Sequence, residues 1–154
     1  MGTTAWAAQP RRRPWFSWRG LMRGLAIVVP ILLLAGYVGI AGYTADKLTK
    51  PDRKVVVDTP AKYGLAYRDV QFNSTTDQIP LKGWLIDTPG DKVIVMLHGR
   101  GGTRLTDDGL EKASLLAGHG YDVFTFDMSA HGQSGGERYG MGALETRDVA
   151  GALA

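Results

Sequence analysis

Between Gly24 and Ala45 the chain runs for 22 residues, GLAIVVPILLLAGYVGIAGYTA, without a single charged side chain. As an α-helix such a run rises ~33 Å, against a bilayer hydrocarbon core of ~30 Å, so it predicts a transmembrane helix whose partner is the lipid bilayer. Pro30 does not argue against this, because membrane helices tolerate proline where nearby groups satisfy the freed carbonyl. Trp15, Phe16 and Trp18 on one side and Tyr37 and Tyr43 towards the other suit the two interfaces. The alternative is a cleaved signal peptide with Gly39-Ile40-Ala41 as its small-residue site. Signal peptides use ~7–15 apolar residues and this run is longer, which favours an uncleaved anchor. Ala35 and Gly39 form a small-xxx-small pair, a pattern too common to assign a dimer, so the sequence leaves the oligomeric state open.

Charge sets the expected orientation. The chain holds 18 basic and 15 acidic residues, a net charge of +3. Arg11, Arg12, Arg13, Arg19 and Arg23 precede the apolar run with no acid among them, so the remainder carries 13 basic residues against all 15 acids, a charge of −2. The positive excess therefore belongs to the tail, and the rest has no electrostatic footprint for a nucleic-acid partner. Lys47, Lys50, Arg53 and Lys54 follow the run closely, but the arginine tail is the denser cluster and first helices usually dominate. The N-terminus is expected in the cytoplasm and the remainder outside it. With no cysteine, disulfide scaffolds, thiolate metal sites and cysteine nucleophiles are excluded.

These boundaries divide the chain into a basic tail (1–23), a transmembrane helix (24–45), a juxtamembrane linker with Pro51 and Pro60 (46–62) and a folded part (63–154). In the folded part, Leu65–Phe72 and Ile79–Asp87 are β-rich runs separated by Asn73-Ser74-Thr75-Thr76-Asp77-Gln78, which predicts an antiparallel hairpin. Val93–Leu97 is a continuous apolar run, as in a strand buried on both faces. Thr103 or Thr106 is expected to cap a helix with Asp107 and Asp108 in its first turn and Leu110, Ala113, Leu116 and Ala117 on its apolar face, ended by Gly118 or Gly120. Tyr121–Phe126 is the next strand, completing one βαβ crossover of a parallel sheet. A second helix is predicted from near Met141, carrying Leu144, Val149 and Leu153.

The chemistry-bearing motif is His98-Gly99-Arg100-Gly101-Gly102, placed directly after the buried strand and before a helix. Glycines there allow backbone N–H groups to face a developing oxyanion, as an acyl-transfer site requires. A tight strand-to-helix turn without a ligand and a phosphate-binding turn remain open alternatives. The dinucleotide fingerprint fails, since Arg104 stands where its third glycine belongs, and no P-loop lysine is present. His98, His119 and His131 lack metal-site spacing, and Asp122 and Asp127 read as strand-end and turn residues, so neither a metal nor a cofactor is expected.

The strand VIVMLHGRGG, the strand and turn YDVFTFDMSAHGQSGG and the helix ALETRDVAGAL together resemble the α/β-hydrolase superfamily. With the N-terminal anchor and the hairpin leading into LKGWLID, they look most like bacterial membrane-anchored hydrolases of the serine-aminopeptidase-like branch, over about residues 50–154. The resemblance implies an α/β fold: a transmembrane helix, then an antiparallel hairpin leading into a parallel sheet, with this chain covering the first half of the hydrolase domain, before the nucleophile strand. It implies a small-molecule or peptide acyl substrate. It also implies that the Arg100 backbone N–H is one oxyanion donor, that Gly101 keeps the loop open and that His98 braces it. Gly132-Gln133-Ser134-Gly135-Gly136 matches G-x-S-x-G, but a nucleophile elbow needs its serine directly between strand and helix, and five residues separate this pattern from the strand end at Phe126. His131 is expected to brace that turn. Relatives usually carry arginine and glycine where Ser129 and Ala130 stand, and often glycine in place of Gln78.

Triad order in this fold is serine, acid, histidine, all after the second core helix. No nucleophile, acid or base is therefore assigned within the 154 residues, and a true elbow is expected roughly 12–25 residues further on. The competing class is a non-catalytic membrane-tethered α/β module.

Overall fold

The computed structural model describes residues 17–106 and 108–154. Arg11, Arg12, Arg13, Trp15, Phe16 and Asp107 lie outside the described residues. The chain divides into two compact units, Met1–Thr44 and Ala45–Ala154. In the first, the uncharged run is helical throughout, as part of a single helix, α1 (Trp18–Thr49), which keeps Pro30 inside it. Its apolar side chains are exposed, Leu32, Leu33 and Leu34 among them. It is long and apolar enough to cross a membrane.

The second unit contains strands β1 (Arg68–Asn73), β2 (Pro80–Ile86), β3 (Val93–Met96) and β4 (Asp122–Asp127), with helices α2 (Gly109–Gly118) and α3 (Glu145–Ala152). The sheet order is β1-β2-β4-β3. β1 pairs antiparallel with β2, Phe72 facing Leu81; β2 pairs antiparallel with β4, Trp84 facing Thr125; β3 runs parallel to β4, Met96 facing Thr125. This is the expected hairpin leading into a parallel pair. Residues 46–62, expected as a linker, fall inside this unit.

Period-two alternation sends the two faces of β4 to different cores. Phe124 and Phe126 join Leu81 and Met128 in one cluster, which Val149 and Ala152 of α3 cover. Val123 joins Ile86 and Ala113 of α2 in the other, with Leu65 and Tyr67 packed against it. A strand covered on both sides must be apolar on both, and β4 is buried along nearly its whole length.

Three sequence expectations need correction. Val93–Leu97 is expected to be buried on both faces, but β3 is the edge of the described sheet, with Val93 57% exposed and Leu97, just past its end, 50% exposed. Neither Thr103 nor Thr106 caps α2. The Thr106 hydroxyl accepts from the Thr103 N–H at 2.7 Å and the Thr103 hydroxyl from the Leu105 N–H at 3.2 Å, so both oxygens are consumed in the preceding turn. Asp108 holds the N-cap position in the left-handed region, φ 58°, with no side-chain cap bond. α3 starts at Glu145 rather than near Met141, because Met141 and Gly142 take φ of 51° and 97°, incompatible with a helix. The C-terminal end of α2 agrees better with expectation. Gly120 takes φ 83° while its N–H reaches Ala117 O and that of Tyr121 reaches Leu116 O, a Schellman ending.

The β2–β4 register generates a test. A Cβ on Gly83 would lie 2.6 Å from the Thr125 carbonyl oxygen and 2.7 Å from Phe126 Cβ. Gly83→Ala should therefore cost ~1–3 kcal/mol, read as a lowered urea midpoint of the full chain in detergent micelles. An unchanged midpoint would contradict the register.

Candidate active site

Because β3 and β4 are parallel neighbours, the segments that follow them, residues 97–106 and 128–136, emerge at the same end of the sheet. Each carries a histidine, and the two exchange hydrogen bonds across the gap. His98 Nε2 accepts from the Met128 N–H at 3.1 Å, and His131 Nε2 accepts from the Gly101 N–H at 3.1 Å. An accepting Nε2 bears no proton, so the proton sits on Nδ1, which His98 gives to Gly99 O and His131 to Ser129 O, both at 2.8 Å. The rings meet edge to face with centroids 4.7 Å apart. Both are buried, and both are fully engaged in holding backbone.

Asp127, at the end of β4, ties the same segments a second time. Its carboxylate is fully buried; Oδ1 accepts from the Arg104 N–H at 2.8 Å and Oδ2 from the Gln133 N–H at 2.9 Å. The Arg104 guanidinium supplies counter-charge, its Nε 3.9 Å from Oδ2, and it lies 4.0 Å over the Trp84 ring. Burial pulls the Arg104 pKa down and Asp127 opposes that pull. Among the described residues Arg104 Nε and Nη1 have no hydrogen-bond partner, so the ring face offsets part of their desolvation. Gly132 is required beside this carboxylate: a Cβ there would fall 2.2 Å from Asp127 Oδ2.

Within the first loop, Gly99–Gly102 is a turn closed by Gly102 N–H to Gly99 O at 3.0 Å, with Gly101 at φ 71°. The N–H groups of Gly101, Gly102, Thr103 and Arg104 all have partners in the protein. Among the described residues the Arg100 N–H has none. A cavity of ≈ 270 Å³ is lined by Arg100, Tyr139, Met141, Gly142 and Glu145.

Ser134, the serine of the G-x-S-x-G pattern, is buried, accepts from the Lys82 N–H at 2.9 Å and donates to the Asp127 carbonyl. Its hydroxyl proton goes to backbone and not to a base. His119 lies apart from the loops, with Nδ1 on Leu115 O. Among the described residues no three His, Cys, Asp or Glu side chains are grouped as a metal site would need.

Two acids on α3 that sequence reasoning missed support the site. Asp148 receives both donors of Ser129, N–H and Oγ, at 2.7 Å each. Burial raises its pKa, against the lowering effect of those bonds. Glu145 Oε1 accepts from Gly140 N–H and Oε2 from Gly142 N–H, both at 2.8 Å. Burial pushes Glu145 up, but backbone N–H groups, its own first and then those of Gly140 and Gly142, together with His131 outweigh it and hold its pKa below the ordinary value. An acid at the start of a helix is a visible signal for Glu145. For Asp148 the signal is a charge between Leu144 and Val149 on the apolar side of the helix.

No protein-family model matches the chain, and no curated protein matches it. Solved structures do. The chain is similar to the Pyrococcus furiosus esterase Pf2001, at 34% identity and a TM-score of 0.63 over 68% of this chain and 40% of the esterase. A second crystal form gives 34% identity and a TM-score of 0.64 over 69% and 40%. The chain thus spans about two fifths of that esterase's length. It carries part of the α/β-hydrolase fold, and this likeness supports the α/β-hydrolase superfamily.

Asp148→Ala should strand both Ser129 donors in the core and cost ~2–4 kcal/mol, whereas Asp148→Asn, which can still accept the N–H, should cost less. The pH dependence has a defined sign. A carboxyl with a raised folded pKa makes its fold progressively less stable as pH rises from its unfolded pKa to the folded one, and the penalty is relieved as pH falls back through that window. The stability of wild type relative to Asp148→Asn should therefore drop as pH rises from about 4 towards 7, measured by urea unfolding. A pH-independent difference would contradict burial of the charge.

Proposed function

We propose that this chain belongs to a membrane-anchored serine hydrolase of the serine-aminopeptidase-like branch, cleaving an ester, amide or peptide through an acyl-serine intermediate. One observation carries the proposal: four consecutive backbone N–H groups, Gly101 to Arg104, are consumed inside the protein, while the Arg100 N–H next to them has no partner among the described residues. In the proposed reaction a serine oxygen attacks the acyl carbon and the carbonyl oxygen becomes an oxyanion. The Arg100 N–H donates to it until the leaving group departs with a proton and water releases the acid. Likeness to an esterase supports this reading. His98 and His131 act on backbone, and no nucleophile, acid or base of this reaction is assigned among residues 1–154. No metal or cofactor takes part in it.

The anchor of this reading is Gly24–Ala45, with residues 1–23 cytoplasmic and the hydrolase unit on the far side. A reporter active only outside the cytoplasm, fused after Ala154, should give signal; a silent reporter on a well-expressed protein would reverse the orientation.

A serine-directed phosphonate should leave the 154-residue chain unlabelled, because the Ser134 hydroxyl is buried and bonded to backbone. Labelling at Ser134 would overturn the assignment and install the internal motif in its place. In a catalytically complete form, Gly101→Val should lower kcat about 100-fold, the worth of one oxyanion donor. The cause is backbone conformation: φ 71° is open to glycine and strained for a β-branched residue, while the space around Gly101 is empty. Unchanged turnover would reject the oxyanion role and favour a non-catalytic tethered module.

A further inference from the structure

Residues 48–53 cross both loops of the site. The Leu48 carbonyl accepts from Arg100 Nη2 at 2.6 Å. The Thr49 carbonyl accepts from the Tyr139 N–H at 2.8 Å and its hydroxyl from Arg138 Nη1 at 2.9 Å. The Asp52 N–H donates to the Tyr139 hydroxyl at 3.1 Å. Arg53 then aims its guanidinium at four carbonyl oxygens of the loop after β4: Nη1 lies 3.3 Å from Gly132 O, 3.5 Å from His131 O and on Ser134 O, and Nη2 lies on Gly136 O. Tyr139 stands where these contacts meet. Its ring stacks on His131 with centroids 4.3 Å apart, and Arg100 Cζ lies 5.6 Å from its centre.

The residue type at position 53 matters. Carbonyl oxygens converging on one point repel each other unless a cation occupies it, and a planar guanidinium with five donors can serve several at once where an ammonium offers a compact point charge. The loop held in this way is the one that carries His131, whose Nε2 takes the Gly101 N–H. Arg100, next along, is held by its own side chain to Leu48.

We propose that residues 48–53 form a strap that positions the candidate oxyanion loop, with Arg53 as its positioning residue. Arg53 acts through the loop after β4 and His131. The functional half of this inference rests on the oxyanion assignment above; the mechanical half does not.

The test uses the full 154-residue chain in detergent micelles, with amide hydrogen exchange read residue by residue in wild type, Arg53→Gln, Arg53→Lys and, as a control, Lys54→Gln. Arg53→Gln should accelerate exchange at Gly101 and Ser134 about tenfold or more while leaving Leu85 and Phe124 in the sheet unchanged, because only the local opening is made easier. Arg53→Lys should fall between the two, and Lys54→Gln should match wild type. Millimolar guanidinium should slow exchange again in Arg53→Gln and not alter wild type, a rescue that general support of the fold would not show. Unchanged exchange at Gly101 and Ser134, or acceleration spread evenly over the sheet, would overturn the strap. Local loosening with no effect on turnover of a catalytically complete form would overturn the functional half and the oxyanion assignment together.

Discussion

A carboxylate buried at the end of β4 sets the terms for everything around it. A charge removed from water is tolerated only when it is compensated and its lone pairs are filled, and Asp127 meets that condition by drawing one N–H from each loop and a guanidinium from the first. The demand spreads outward from there. Gln133 can reach the carboxylate only if the chain passes it closely at Gly132, where no side chain fits. Arg104 must be buried to stay near, and Trp84 gives it a ring to lie on. The bridge fixes the spacing of the two loops, and at that spacing the histidines can trade bonds.

That exchange gives the site its character. Two imidazoles side by side in a candidate active site invite assignment as general bases, yet each has its acceptor nitrogen on a backbone N–H and its proton on a carbonyl. They act as rigid spacers. Their effect is selective: the loop after β3 satisfies its own donors one by one and stops short of Arg100. Preorganised donors stabilise a developing charge because their reorganisation cost was met during folding, and a turn held from His131, Asp127 and Leu48 has little freedom left to reorganise.

Local patterns made the strands, the hairpin and the loop at residues 98–102 legible in the sequence, since apolar alternation and glycine placement act over a few residues. Gln78 and Ala130 both occupy the left-handed region, at φ 51° and 63°, which glycine enters without strain. The Thr103 and Thr106 caps misled because a hydroxyl can serve a turn as readily as a helix start, and propensity does not choose between them. β3 misled because apolar content records the burial a strand can accept, not its place in the sheet order. Contacts that bridge long separations left no local trace. Arg53 lies among lysines in a charged stretch that reads as solvated, and its acceptors are 78 to 83 residues away. Tyr139, buried and stacked on His131, is one aromatic in a polar loop.

Histidine-to-backbone bonds hold the two loops and leave the Arg100 N–H without a partner among the described residues. Nuclear magnetic resonance can read this arrangement directly, as nitrogen–nitrogen coupling across the Gly101 N–H to His131 Nε2 and Met128 N–H to His98 Nε2 bonds, together with solvent exchange of the Arg100 amide. Coupling is expected across both bonds, together with an Arg100 amide that exchanges like an unprotected peptide. Absence of coupling at Gly101, or an Arg100 amide as protected as its neighbours, would contradict it.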